Sequence, residues 1–192
     1  MFAAEAPPSI LPLPPPPTAS SWPFDGFKIR QSGTKGFGAF ATRQFTRGDL
    51  NFAEKPLVIL ALLVPVPVLQ ATVKAISPEE QEQFYALHNS SEGTPGYPRE
   101  LGIVDTNCYN LDDTSAGILV VASRFNHSCS PNARNSWDSK TEKERIFCLR
   151  TIAVGEEIQV SYLAARNVYG STRAERRARL EETRHFICGC SS

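Results

Sequence analysis

The stretch Asn126-His127-Ser128-Cys129-Ser130-Pro131-Asn132 restricts the backbone of this chain more than any other segment. It packs small hydrogen-bonding residues and a proline into seven positions. Asn and Ser side chains bond back to nearby main-chain groups, so such a run sets a tight, irregular backbone. Taken alone, it is a well-capped turn as readily as a functional site. A sharper alternative pairs Cys129 with His127 as nucleophile and base, since residues two apart on an extended chain share a face. No orienting Asn or Asp is implied for that pair.

Three further motifs bear on chemistry. Lys35-Gly36-Phe37-Gly38 precedes Ala39-Phe40-Ala41. Paired glycines let a backbone approach a ligand closely. The third glycine and following helix of a dinucleotide site are missing, and a hairpin turn explains the motif as well. Gly155-Glu156-Glu157-Ile158-Gln159-Val160-Ser161-Tyr162 reads as a turn and a strand ending in tyrosine, and most such tyrosines are core or rim residues. Cys188-x-Cys190 offers two thiols at a spacing that suits zinc, which needs four ligands. Cys129 becomes a third if the fold brings it close.

Around these motifs the pattern is mainly β with inserted helices. Phe27 to Gln31 and Ala39 to Arg43 read as a hairpin, and Asp49 to Leu63 as one or two strands. Ser77-Pro78-Glu79-Glu80 is a helix start, with Ser as N-cap and Glu80 as its capping-box partner, for a helix running to about His88. Residues 90–100 read as loop, Ser115 to Arg124 as a short buried helix, and Arg145 to Arg150 and Glu157 to Tyr162 as strands. Ser171 to His185 is a charged helix whose alternating Arg and Glu read as a solvated face. His88 and His185 have no assigned role.

Composition narrows the classes. The 192 residues suit one domain, and 41% hydrophobic with 21% charged residues is ordinary globular content. Lys plus Arg and Asp plus Glu number 20 each, which argues against nucleic-acid binding through general basicity. Five sparsely spaced cysteines point to a reducing compartment rather than a disulfide scaffold. Residues 1–23 hold eight of the 15 prolines and one charge, Glu5, so a disordered, polyproline-II-prone segment is expected there. The apolar stretch from Pro56 to Leu69 is broken by Pro65 and Pro67 and is only 14 residues long, against about 20 needed to cross a bilayer. The expectation is a soluble, intracellular protein.

In this order and at these separations, the four motifs resemble the SET domain of protein lysine methyltransferases. The likeness runs from about Phe27 to Cys190 and looks nearest the SET-and-MYND branch or related fungal SET proteins. One departure stands out: residues 50–100 contain no cysteine, so the MYND finger of that branch is absent. The resemblance implies a SET-domain fold of small β-sheets with a pseudoknot over residues 24–186, including a variable helical insert at about 65–103. Residues 187–192 then match the start of a truncated post-SET cysteine motif.

The resemblance also implies a function: methyl transfer from S-adenosylmethionine to lysine side chains of a histone or another protein. The catalytic tyrosine falls on Tyr162. Cofactor-binding positions fall on Lys35, Gly36, Phe37, Gly38, Asn107, Asn126, His127 and Phe186, the last matching the aromatic that stacks on adenine. Cys129, Cys188 and Cys190 match three zinc ligands, with the fourth missing from this chain, so Zn2+ is expected in the full-length protein. A monomer in the nucleus or cytoplasm follows, acting on a protein or peptide lysine substrate, with no direct nucleic-acid binding and no membrane. The competing class is a SET-fold binding or scaffold module that has lost catalysis. A thiol hydrolase built on Cys129 leaves the other motifs unexplained.

Overall fold

Glycine geometry shapes the first sheet. In the computed structural model, which describes residues 25–163 and 170–190, β1 (Phe27–Gln31) pairs antiparallel with β2 (Phe37–Ala41). Between them Gly33–Lys35 makes one 3-10 turn, closed by Ser32 N donating to Gly36 O at 2.7 Å. Gly36 sits at φ 75°, a conformation that a β-carbon disfavours. Because the turn closes so tightly, β2 begins at Phe37 rather than at Ala39. Its other edge pairs with β9 (Glu157–Ile158), Ala39 lying opposite Ile158.

Two more antiparallel sheets complete the β structure among the described residues. One orders β3 (Leu50–Glu54), β8 (Lys143–Cys148) and β7 (Ala133–Asp138). The other orders β4 (Val58–Ala61), β6 (Ser115–Ile118) and β5 (Cys108–Asn110). Three helices lie between β4 and β5: α1 (Val66–Ala75), α2 (Pro78–Tyr85) and α3 (Arg99–Asn107). The prolines that break the apolar run place Pro67 in the first turn of α1, where a missing N–H costs nothing. At α2 the Ser77 Oγ accepts from Glu80 N at 3.3 Å and the Glu80 carboxylate accepts from Ser77 N at 2.8 Å. Thr172 and Glu175 form the same reciprocal cap on α4 (Arg173–Arg184).

Several sequence expectations need correction. Ser115 to Arg124 is not a buried helix but strand β6 followed by a 3-10 turn at Ala122–Arg124. The apolar run is two-sided because β6 is the central strand of its sheet, hydrogen-bonded to β4 and β5. A β-carbon at Gly117 would lie 3.1 Å from the Pro56 ring, so this strand is glycine-thin where the chain passes it. The expected strand from Glu157 to Tyr162 stops at Ile158, because Val160 turns to pair with His127 as a single parallel bridge. The helix expected to reach His88 ends at Tyr85, and β7 has no counterpart among the strands expected from sequence.

The main core joins the first two sheets around Phe125, which is fully buried against the rings of Phe27 at 5.3 Å and Phe52 at 6.0 Å. Deleting such a ring from a filled core costs about 3–5 kcal/mol. Phe125 immediately precedes Asn126, so this packing fixes where the constrained heptapeptide begins. A second core, with Leu69, Phe84, Ile103 and Ile118 fully buried, joins the inserted helices to the third sheet. A third, small one holds the C-terminal part: Leu180 of α4 packs with Leu163, Cys129 and Cys188.

Candidate active site

The heptapeptide and the tyrosine segment lie side by side. Val160 N donates to Asn126 O at 3.0 Å, and Ser128 N donates to Val160 O at 2.9 Å. Tyr162 is bound twice to this strip. Its N–H donates to His127 Nδ1 at 3.0 Å, and its hydroxyl donates to Phe125 O at 3.0 Å. Burial pushes the Tyr162 phenol up to about 12, so it remains protonated at neutral pH and acts as a hydrogen-bonding group, not a base. The Arg184 guanidinium lies 5.9 Å from the centre of the tyrosine ring.

The accepted hydrogen bond at Nδ1 decides the chemistry of His127. Burial pushes the imidazole down to about 4, so the ring is neutral and carries its proton on Nε2. Nε2 points at Cys129 Sγ, 3.3 Å away. The N–H donates to the sulfur and has no lone pair to offer, either to a thiol proton or to a metal. Burial also pushes the Cys129 thiol up to about 11. The Cys129–His127 nucleophile pair is therefore not supported, although the two side chains do meet.

The glycine loop reaches the same strip through one amide. Asn126 Nδ2 donates to Phe37 O at 3.1 Å and to Glu157 Oε1 at 2.7 Å. Glu157 is absent from the site residues expected from sequence, yet it is the hub here. It also accepts from Ser32 Oγ at 2.6 Å and lies 3.7 Å from Lys35 Nζ. A β-carbon on Gly38 would come within 2.3 Å of Glu157 Oε1 and 2.9 Å of Asn126 Nδ2. Glycine at 38 is thus required by this junction. The Gly155-Glu156-Glu157-Ile158 motif is the available signal, but a charged residue in a two-residue strand does not reveal which partner it will meet.

Phe186 completes an aromatic group, with ring centres 5.9 Å from His127 and 6.2 Å from Tyr162. Asn107 stands apart: its amide donates to His88 O and Ile103 O, both at 2.7 Å, inside the helical insert. His88 and His185 are exposed. Arg124, which the sequence does not single out, is 6% exposed and places its guanidinium 5.8 Å from the Phe37 ring centre. Its Nε is buried without a hydrogen-bond partner, and no carboxylate among the described residues pairs with it.

The cysteines gather as their spacing suggests. Cys129 and Cys188 Sγ are 3.9 Å apart, close to the roughly 3.8 Å edge of a tetrahedral zinc–thiolate site with Zn–S bonds of about 2.3 Å. Cys188 and Cys190 Sγ are 2.8 Å apart and would open by about 1 Å to share an ion. The tail carrying them is strapped to α4, since Arg177 donates to Cys188 O at 2.8 Å and Arg173 to Cys190 O at 3.0 Å. Arg184 donates to Asp105 O at 3.0 Å at the end of α3. The arginines of α4 therefore bind carbonyl groups as well as facing solvent. Among the described residues no helix is long and apolar enough to cross a membrane.

Comparison with known proteins agrees with this geometry. The family model of the SET domain matches residues 36–163. The histone-lysine N-methyltransferase set5 of Schizosaccharomyces pombe is 30% identical over 165 residues, covering 86% of this chain and 49% of that protein. The histone-lysine N-methyltransferase SET5 of Scheffersomyces stipitis is 28% identical over 110 residues, covering 57% of this chain and 22% of that protein. Human protein-lysine N-trimethyltransferase SMYD5 is 36% identical over 80 residues, 42% of this chain and 19% of that protein. The chain thus spans about half the length of the fission-yeast relative and less of the others. The match covers both glycines of the loop, the heptapeptide and Tyr162, and on that ground the chain belongs to the SET-domain family.

Proposed function

We propose that this chain transfers a methyl group from S-adenosylmethionine to lysine side chains of a protein, histone or otherwise. The observation that carries this reading is the double attachment of Tyr162 to the strip Phe125–His127, beside the glycine loop. The two curated fungal relatives named above are called histone-lysine methyltransferases, which supports a protein substrate. The balanced charge of the chain fits a protein substrate better than direct contact with nucleic acid.

Bound cofactor would supply an electrophilic methyl group on a cationic sulfur. Lys35, Gly36, Phe37, Gly38, Asn126, His127 and Phe186 would hold it, with Asn107 facing the insert. The protein's own residues then have three tasks. The first is positioning, because in-line displacement needs attacking and leaving atoms aligned. Phe125 packing and the His127 bond leave the Tyr162 ring little freedom. The second is a neutral amine, since lysine ordinarily titrates near 10.4. The Arg184 cation, 5.9 Å from the Tyr162 ring centre, disfavours a second positive charge beside Tyr162. The third is hydrogen bonding: the tyrosine oxygen, protonated and donating to Phe125 O, keeps a lone pair for an amine N–H.

Cys129, Cys188 and Cys190 would hold a Zn2+ ion, whose contribution is to fix the tail that carries Phe186. The His127 Nε2–H would then support the Cys129 thiolate as a donor outside the ligand set. The experiment is transfer of tritiated methyl from S-adenosylmethionine to core histones and to proteins of a cell lysate. Label on lysine is expected. Cofactor-induced thermal stabilisation without label would favour a non-catalytic binding module, and the absence of both label and stabilisation would overturn the proposal.

A further inference from the structure

Arg124 is a buried cation whose opposite charge the described residues do not supply. It is the last residue of the 3-10 turn, two positions before Asn126. One guanidinium nitrogen, Nη2, donates to Ala86 O at 3.0 Å, which ties the turn to the end of α2. Nε is buried and unpartnered. Arginine does not shed its proton in a protein, so the cost of burying this charge is carried in full unless an anion arrives.

The geometry points to Arg124 as the anchor for the carboxylate at the amino-acid end of S-adenosylmethionine. The inference rests on the function proposed above. That molecule has one anionic group, and a guanidinium matches a carboxylate with two parallel N–H donors. Nε is one such donor and is free to serve. The location fits as well: Arg124 reaches Phe37 of the glycine loop and Ala86 of the insert, whereas Phe186 packs on His127 and Tyr162. The two residues therefore serve different ends of one ligand. Lys35, the cation within the loop itself, is half-exposed and already leans on Glu157.

Binding of two probes to the full chain, measured by equilibrium dialysis, tests this without reference to turnover. S-adenosylhomocysteine carries the carboxylate, and 5′-methylthioadenosine is the corresponding thioether lacking the amino-acid end. Wild-type protein should prefer S-adenosylhomocysteine. Arg124→Met should weaken S-adenosylhomocysteine about thirtyfold, the scale of one buried charge-assisted hydrogen bond, and methylthioadenosine less than about twofold. Arg124→Lys should recover part of the preference, because it keeps the charge but not the fork. If either variant weakens both probes equally, Arg124 only supports the fold and the anchor is overturned. The same follows if Arg124→Met leaves S-adenosylhomocysteine binding intact. A melting curve identifies a variant too unstable to score, and the ratio of the two affinities in the Lys variant then decides between anchor and fold support. Wild-type protein that binds neither probe would sink the proposed function itself, which separates the two failures.

Discussion

Replacing Glu144 with glutamine should remove a pH dependence built into the core. Glu144 lies on β8, is 1% exposed, and faces Glu54 of β3 and Trp137 of β7 in register. Its Oε1 accepts from Asn135 Nδ2 at 2.9 Å, while Oε2 is buried without a hydrogen-bond partner. Burial pushes the carboxyl up to about 7 from its usual 4.5, and the single Asn135 bond offsets this only in part. Below pH 4.5 the group is protonated in both folded and unfolded chains and costs nothing. Between 4.5 and about 7 the unfolded chain releases the proton first, so stability falls as pH rises. At about 1.4 kcal/mol per pH unit across that window, the cost above pH 7 is about 3 kcal/mol. Glutamine keeps the Oε1 acceptor and the shape of the neutral acid. Urea denaturation should find Glu144→Gln within about 1 kcal/mol of wild type at pH 5 and about 3 kcal/mol more stable at pH 8, or about 6–12 °C in Tm. A stability difference that is the same at both pH values would refute the reasoning.

Other outcomes follow from the same contacts. Gly38→Ala should lower stability by about 1–3 kcal/mol, because its β-carbon would displace Glu157 and Asn126, and should weaken S-adenosylhomocysteine binding at least about tenfold; calorimetric titration with unchanged affinity counts against the junction. Glu54→Ala should cost about 2 kcal/mol at pH 6, since the N–H groups of Val121 and Ala122 lose their acceptor, while Glu54→Gln should cost less. Equal losses in chemical denaturation would remove that explanation. Protein stripped of metal and dialysed against zinc should retain the ion by elemental analysis, and Cys188→Ser should abolish retention. Equal zinc content in both would exclude Cys188 as a ligand.

The parts of this fold that can be read from sequence are those set by short-range rules. The Ser77–Glu80 capping box, the glycine turn after β1 and the irregular heptapeptide follow from local hydrogen bonding and allowed backbone angles. Strand β6 cannot be told from a helix, because an apolar run of that length suits either and only pairing with β4 and β5 decides it. The site divides in the same way. Tyr162, Asn126 and the glycine loop stand out by motif. Glu157 and Arg124 do not, since a lone Glu in a strand and a lone Arg after a small-residue turn look like surface residues until the fold buries them. His127 is legible as a site residue, but its tautomer depends on the backbone N–H of a residue far along the chain.

The most direct test of the account is Tyr162→Phe, followed by single-turnover methyl transfer to a lysine peptide, cofactor affinity and a melting curve. The hydroxyl donates to Phe125 O and the backbone N–H of the same residue to His127 Nδ1, and under the proposed function removal of the hydroxyl should act mainly in the transition state. The account predicts a turnover loss of about a hundredfold or more, with S-adenosylhomocysteine affinity changed less than about threefold and the fold retained. Wild-type turnover from the Phe variant, with the change confined to stability, would contradict it and leave Tyr162 as a packing residue.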